Sequence, residues 1–562
     1  MLSTAAIIVA ALTSTSPQPA SVRDGLDEAA VDRVFASYDR EDSPGVALGI
    51  VRDGELVYVR GYGMANLEKQ EPLTGDTVLR IGSTSKQFTA ACAVLAEQQG
   101  ALSLDADIRT YLPEMPEYDA PITMRHLLHH TSGVRDYLGL MGLAGYGDSY
   151  YSNEAAYQMI ARQKGLNFPT GSRHLYSNSG YFLISVIIER RTGMTLSEFA
   201  EKHIFGPLGM TSSHFHDDNT HVVEGRANGY SQYGDGNWVV SNTDLEMCGD
   251  GGVFTSVSDM LKWDANFYEP KVGGQAMLDA LHGHGFLNDG TELDYALGLG
   301  VSEYRGLRQV SHGGAFVGFR ADTVRFPDQK VSVITFANLA EIDPSSLAFK
   351  VADIVLAEEF ASAARAQPTS TTKASAKLTE PKFIELPAET LDRFAASYLD
   401  QASGNVIAIS RSGEALLLQA GGQSLTLRPT SELEFAGTNP VATLRFEPSA
   451  LEGFWNAKAS VGNTSLVLGP YLPWDPSFMS LEDYAGTFFS EELQTTWTLS
   501  VAAGSLMMTN GKNLTASLAP LAMDAFNSPA GVLVFQRDAF QRLTSFGLNA
   551  GRVLGLRFVR QE

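Results

Sequence analysis

The 562-residue sequence is poor in cysteine, in positive charge and in long apolar runs. Its two cysteines, Cys92 and Cys248, permit one disulfide at most, which excludes a disulfide framework. Cys92 sits in Ala91-Cys92-Ala93-Val94-Leu95, the texture of a buried helix face. Both thiols therefore read as small inert hydrophobes and not as nucleophiles. Lysine and arginine number 41 against 64 acids, a formal net charge of −23. That surface repels polyanions, so nucleic acid and anionic membranes are poor partners. No apolar run reaches the roughly 20 residues that a membrane-spanning helix needs, and no transmembrane anchor is expected. What remains is a globular composition, 44% hydrophobic and 19% charged, suited to a small-molecule or short-peptide ligand. Nothing in it fixes an oligomeric state.

The length exceeds what one hydrophobic core serves, so several domains are expected. Residues 1–20 hold an apolar run from Ala5 to Leu12 and then a Thr/Ser/Pro-rich stretch to Ala20. This resembles the core and exit of a secretory signal and predicts export, periplasmic or secreted. The Lys or Arg that usually precedes such a core is missing, and a frayed terminus is the alternative. Residues 24–361 mix helix and strand periodicities. Hairpins are expected over 46–59 and 317–336, and helices over 83–99 and 344–360. Strands at both ends with helices between predict an α+β domain whose sheet is closed by its two termini. Residues 362–385 are rich in Ala, Ser, Thr, Lys and Pro and read as a linker.

Beyond the linker an internal repeat appears. Leu391-Asp392-Arg393-Phe394-Ala395-Ala396-Ser397-Tyr398-Leu399 matches Leu481-Glu482-Asp483-Tyr484-Ala485-Gly486-Thr487-Phe488-Phe489. Each copy continues with closely spaced short strands, predicting two small antiparallel β-barrels over 386–478 and 479–562. A β-sandwich is the alternative.

Three motifs carry chemistry. In Gly82-Ser83-Thr84-Ser85-Lys86, Ser83 and Lys86 share a helix face one turn apart. A serine hydroxyl needs a neighbour to take its proton. For lysine to do so near neutrality, its reference pKa of about 10.4 must fall towards 7, about 4 kcal/mol against the charged form. Burial and the positive end of the helix dipole both push that way. The Ser83 N–H is free to hold an oxyanion. The other reading is an N-cap serine beside a solvated lysine. In Leu175-Tyr176-Ser177-Asn178, Tyr176 can relay protons and Asn178 can hold a substrate amide, unless Tyr176 only packs under a helix start. In Ser311-His312-Gly313-Gly314-Ala315, His312 on an edge strand would face a cleft as donor or proton carrier. Gly313 and Gly314 would admit a ligand backbone, and the Ala315 N–H could be a second oxyanion donor. Alternatively this is a glycine-rich bulge with a surface histidine. His126, His129 and His130 are close in sequence but lack a His-Glu-x-x-His pattern, so no metal or other cofactor is expected.

The order and spacing of the three motifs resemble the serine β-lactamase and penicillin-binding superfamily over about residues 30–360. The class C-like branch, with its D-aminopeptidases, DD-peptidases and esterases, is the most similar. Arg125–Gly133 and Gly251–Ser256 look like that branch's connecting segments. The resemblance implies a five-stranded antiparallel sheet flanked by helices, with a helical subdomain as the other cleft wall. It implies Ser83 as acylated nucleophile and Lys86 as its proton acceptor. Tyr176 would be the group that activates water or protonates the leaving group, and Asn178 a substrate contact. His312 stands where true β-lactamases carry the lysine of Lys-Thr-Gly, and Gly313 replaces a hydroxyl residue. Esterase or aminopeptidase chemistry is therefore favoured over efficient β-lactam hydrolysis. A penicillin-recognising domain with two lipocalin-like barrels resembles the D-aminopeptidase architecture. The implied activity is a D-aminopeptidase-like or DD-peptidase-like serine hydrolase. The alternatives are a carboxylesterase, a weak β-lactamase, or a slowly turning over penicillin-binding sensor.

Overall fold

The computed structural model describes residues 26–146, 150–234, 236–366, 382–400, 404–420, 423–438, 441–449, 451–461, 464–475 and 480–561. The signal-like segment 1–20 lies outside them, as does most of the expected linker. Of that linker, 362–366 ends a helix, Ala357–Ala366, whose apolar Phe360 is pinned into the core.

The central sheet is formed by β1 (Val46–Arg52), β2 (Glu55–Tyr62), β3 (Gly300–Tyr304), β4 (Leu307–Phe316), β5 (Phe319–Phe326) and β6 (Val331–Ala337). They run antiparallel in the order β3-β4-β5-β6-β1-β2. Six strands stand where five were expected, because the short β3 adds to the outer edge of β4 through Gly300↔Ser311 to Tyr304↔Leu307. The β1–β6 pairing, Val46↔Ala337 to Arg52↔Val331, joins the two ends of the domain in one sheet. β1 and β6 are buried along nearly their whole length because both faces are covered. Helices α1 (Glu28–Phe35) and α4 (Pro344–Val355) cover one face. The larger core on the other face contains α2 (Lys86–Gln98) and α3 (Asn178–Thr192). The expected 344–360 helix breaks at Leu356, the C-cap of α4. In α2 every residue from Lys86 to Ala96 is buried, and its small Ala90, Ala91, Ala93 and Ala96 let other helices pack closely around it. Cys92 and Cys248 are free and buried, and burial pushes both thiols up.

Both tail units are closed eight-stranded antiparallel barrels, which removes the sandwich alternative. The first runs from Ala396–Asp400 to Thr464–Pro470 and the second from Gly486–Ser490 to Val553–Arg560. Alternation of inward and outward residues, clearest in Thr495–Ala502, matches the two-residue period of a barrel wall. The repeated positions are equivalent inside: Leu391, Phe394 and Tyr398 fill the first barrel, Tyr484 and Phe488 the second.

Candidate active site

The chain enters the site through a tight 3-10 turn, Gly82–Ser85, and not through the α-helix expected from residue 83. Helix α2 begins only at Lys86. Gly82 holds a left-handed φ of +51°, which an L side chain rarely adopts, and a Cβ there would lie 2.9 Å from Ala315 N. Strand β4 runs past the turn at close quarters. A Cβ on Gly314 would lie 1.9 Å from the Ile81 carbonyl oxygen. Thus what approaches Gly314 is the turn that carries Ser83, where a ligand backbone was expected. Gly313 is uncrowded, and a Cβ there would meet no atom nearer than 3.7 Å. Thr84 Oγ1 donates to the His312 carbonyl at 2.9 Å and fastens the two segments. His312 is not on the outermost strand, since β3 lies outside β4, but the β3–β4 pairing ends at Gly300↔Ser311. Residues 312–316 are therefore left facing the turn.

Lys86 and Ser83 meet inside the protein. Lys86 Nζ lies 3.2 Å from Ser83 Oγ and donates to Asn178 Oδ1 at 2.9 Å and to the Asp250 carbonyl oxygen. Burial pushes Lys86 well below the ordinary lysine value, opposed by Asp250 and Asp136 and assisted by Arg552. The Asp250 carboxyl is raised by burial, with Lys86 pulling the other way, and accepts from the Tyr137 hydroxyl at 3.1 Å. Asn178 opens α3. Its N–H is taken by Asp136 Oδ2 at 2.8 Å, while Asp136 Oδ1 accepts from Leu138 and Gly139. One carboxylate thereby caps two helix N-termini, where negative charge is favoured.

The Tyr176 ring lies 4.7 Å from Lys86 Nζ, and its hydroxyl is buried without a formed hydrogen bond among the described residues. Burial raises this phenol, and the neighbouring Ser83 side chain and the Arg552 cation oppose that rise. Ser83, Asn178 and Ala315 line one cavity together with Arg80, Tyr137, Asp250 and Phe316.

His312 belongs to a directional hydrogen-bond chain. The Ser177 N–H donates to His130 Nδ1 at 3.2 Å, so a neutral His130 carries its proton on Nε2. That nitrogen lies 3.2 Å from Tyr295 Oη, which lies 2.9 Å from His312 Nε2. His312 Nδ1 lies 2.7 Å from the Gly313 carbonyl oxygen, an acceptor only. Both ends demand the same polarity: His130 donates to Tyr295, Tyr295 to His312, and His312 Nδ1–H to Gly313. Reversal is blocked because an amide N–H cannot accept and a carbonyl cannot donate. Burial and Lys86 bring His312 down to about 4, so the ring is neutral and has no nitrogen free towards Ser83. His130 holds a left-handed backbone, φ 57°, a strain of roughly 1 kcal/mol maintained by its packing. The other two clustered histidines have separate partners. His126 Nδ1 accepts from Thr123 N, and His129 Nδ1 adjoins the Tyr295 carbonyl.

Asp136, Asp250, Tyr295 and Arg552 join the site without being among the residues that the sequence motifs mark. Asp250 immediately precedes the Gly251-Gly252 connecting segment, and Asp136 follows the Thr131-Ser132-Gly133 turn by three residues, so both lie beside a usable signal. For Tyr295 and Arg552 the sequence carries no local signal.

Residues 31–356, more than half of the chain, match the Beta-lactamase family. The chain belongs to that family. It is 32% identical over 317 residues to a D-aminopeptidase of Cereibacter sphaeroides, covering 56% of this chain and 60% of the relative. It is 28% identical over 402 residues to penicillin-binding protein 4* of Bacillus subtilis, covering 68% and 85%. This beta-lactamase-family chain thus spans about three fifths of the length of the D-aminopeptidase. The octameric penicillin-binding protein homologue from Pyrococcus abyssi superposes with a TM-score of 0.52 at 22% identity, over 79% of this chain and 99% of that one, a likeness of fold.

Proposed function

We propose that the protein is a serine hydrolase that acylates Ser83 and acts on short peptides or amides, in the manner of a D-aminopeptidase or DD-peptidase. The observation that carries this is the buried Lys86 amine, 3.2 Å from Ser83 Oγ and held there by Asn178 and Asp250. Neutral Lys86 takes the hydroxyl proton as Ser83 attacks the carbonyl carbon. The oxyanion is received by the N–H groups of Ser83 and Ala315, at a helix start and beside Gly82. As the tetrahedral species collapses, Tyr176 supplies the proton that the departing amine needs, replenished from Lys86. Water then attacks the acyl carbon and gives a proton to the same pair, which passes it to Ser83 Oγ as that oxygen departs and the acid is released. His312 stays neutral throughout and braces the strand that presents Ala315.

The 32% identity to a D-aminopeptidase supports the peptidase branch. The net charge of −23 suits a substrate with a free ammonium. A neutral histidine and Gly313, where Lys-Thr-Gly is expected of a β-lactamase, weigh against fast β-lactam turnover. The apolar run Ala5–Leu12 supports export, and N-terminal sequencing of the mature protein checks it.

The test is a panel of D- and L-aminoacyl p-nitroanilides, free and N-blocked, with p-nitrophenyl esters and a penicillin. Intact-mass detection of the acyl-enzyme runs beside it. Steady turnover of a D-aminoacyl amide, with a transient adduct on Ser83, is expected. Ser83→Ala should lose turnover by about a thousandfold or more. A permanent stoichiometric adduct without turnover would make the protein a penicillin-binding sensor, and near-normal activity in Ser83→Ala would remove Ser83 from the mechanism.

A further inference from the structure

The second barrel reaches the catalytic groups. Its last two strands, Leu543–Ala550 and Val553–Arg560, are joined by a turn at Gly551-Arg552. That turn is fastened by its backbone to the catalytic domain. The Arg552 carbonyl accepts from Asp136 N at 3.3 Å and from Asn167 Nδ2 at 2.9 Å, and Leu554 N donates to Asn167 Oδ1 at 2.7 Å. Arg135 donates to the carbonyls of Leu554 and Gly555 at 2.9 and 3.2 Å and forms a buried ion pair with Glu492 at 2.7 Å. The Arg552 guanidinium consequently sits 4.7 Å from the Tyr176 ring centroid. Its carboxylate neighbour, Asp136, is 3.7 Å away and already accepts three backbone N–H groups, so the cation is only loosely neutralised.

We propose that Arg552 is a positioning residue through which the second barrel supplies, in the same chain, the positive charge that holds the Tyr176–Lys86 pair in its proton-accepting state. This rests on the acyl-serine reading above. The charged and titratable groups facing the pair are Asp136 and Asp250, His130 and His312, the phenols Tyr181 and Tyr295, which burial keeps neutral, and Arg552 itself. Both histidines are held neutral, and the Asp250 carboxyl is held towards its neutral form. Among the described residues facing the pair, Arg552 is thus the permanent cation. A positive charge beside an ammonium or a phenol favours loss of the proton from either. Removing it moves both groups the same way, upward, whichever of them takes the Ser83 proton. The catalytic unit therefore comprises the family domain and the second barrel together.

The experiment compares Arg552→Met, Arg552→Lys and the unaltered full-length enzyme. It follows kcat/KM against pH for the substrate that gives a Ser83 adduct, with thermal unfolding as the check on docking. Arg552 is 48% exposed, and the substitution spares the backbone contacts that fasten the turn. The expected result is an acid limb displaced to higher pH by roughly half a unit or more in Arg552→Met, as for one partly solvated charge. At pH values below that limb kcat/KM should fall severalfold, and Arg552→Lys should return the limb to its original place. A limb that does not move in a folded Arg552→Met variant overturns the proposal. So does a limb displaced equally in Arg552→Lys, which would make shape, not charge, the agent. Absence of any adduct on Ser83 in the unaltered enzyme would instead defeat the acyl-serine reading itself, and mass spectrometry separates that outcome from the other two.

Discussion

The two barrels share a repeat and a strand order, yet they stand in different relations to the rest of the molecule. The first encloses a core of its own, with Phe394 stacked on Phe446 at 4.2 Å. The second contributes Tyr484, Trp497, Phe546 and others to the same continuous apolar cluster that surrounds α2 and α3. It also presents the Arg552 turn and Glu492 to the wall of the candidate site. Equivalent folds thus stand differently: the first barrel meets the second through a small cluster of Leu399, Ala522 and Ala525, whereas the second shares the large core of the family domain.

Acid should separate the two most widely. All eleven histidines lie between His126 and His312, and neither barrel has one. Burial holds His129, His214, His216 and His312 at about 4, below the ordinary value near 6.5. The unfolded chain binds protons that the folded chain refuses, so stability is full above about 6.5 and falls as pH drops towards 4. The catalytic domain and second barrel should unfold together in that window while the first barrel persists. Variants retaining only Trp455 or only Trp497 would follow the two by fluorescence, and coincident transitions would erase the distinction.

Core truncation comes next. Trp497→Ala and Phe446→Ala should each cost about 3–5 kcal/mol locally. Only Trp497→Ala should also depress hydrolysis, and equal effects on turnover would show that the first barrel is coupled too. Glu492→Ala leaves Arg135 charged and buried, a loss of about 3–5 kcal/mol in denaturant unfolding, reduced where water can enter the gap. Truncating the exposed Glu434 of the first barrel, 3.7 Å from Arg445, should change little. The smallest effect is expected of Lys512→Ala. Its amine donates to the Ala144 carbonyl at 3.0 Å on the docking face, a contact of about 1 kcal/mol by the same measurement.

Much of this was legible in the chain itself. The α+β domain, the two barrels and the Ser83–Lys86 proximity follow from local periodicity, a repeat and helical geometry, which are encoded over a few neighbouring residues. Burial of Lys86 was foreseeable as a requirement of the chemistry. The sixth strand was not, because β3 is five residues long and holds its place through pairing with β4. Nor was the use of Gly314, since nothing near it in sequence reveals that the Ile81 carbonyl will press against it.

Sequence alone settled which side chains were available: a serine and lysine one turn apart, a tyrosine and asparagine at a helix entrance, a histidine between strand residues. Tertiary structure decided their protonation and company. Whether His312 is a cation or a locked neutral ring depends on Tyr295 and His130, and whether Tyr176 sits beside a positive charge depends on a turn in the last strands of the second barrel. Hydrogen-bond direction and Coulomb energy depend on distance in space, and separation along the chain carries almost no information about that.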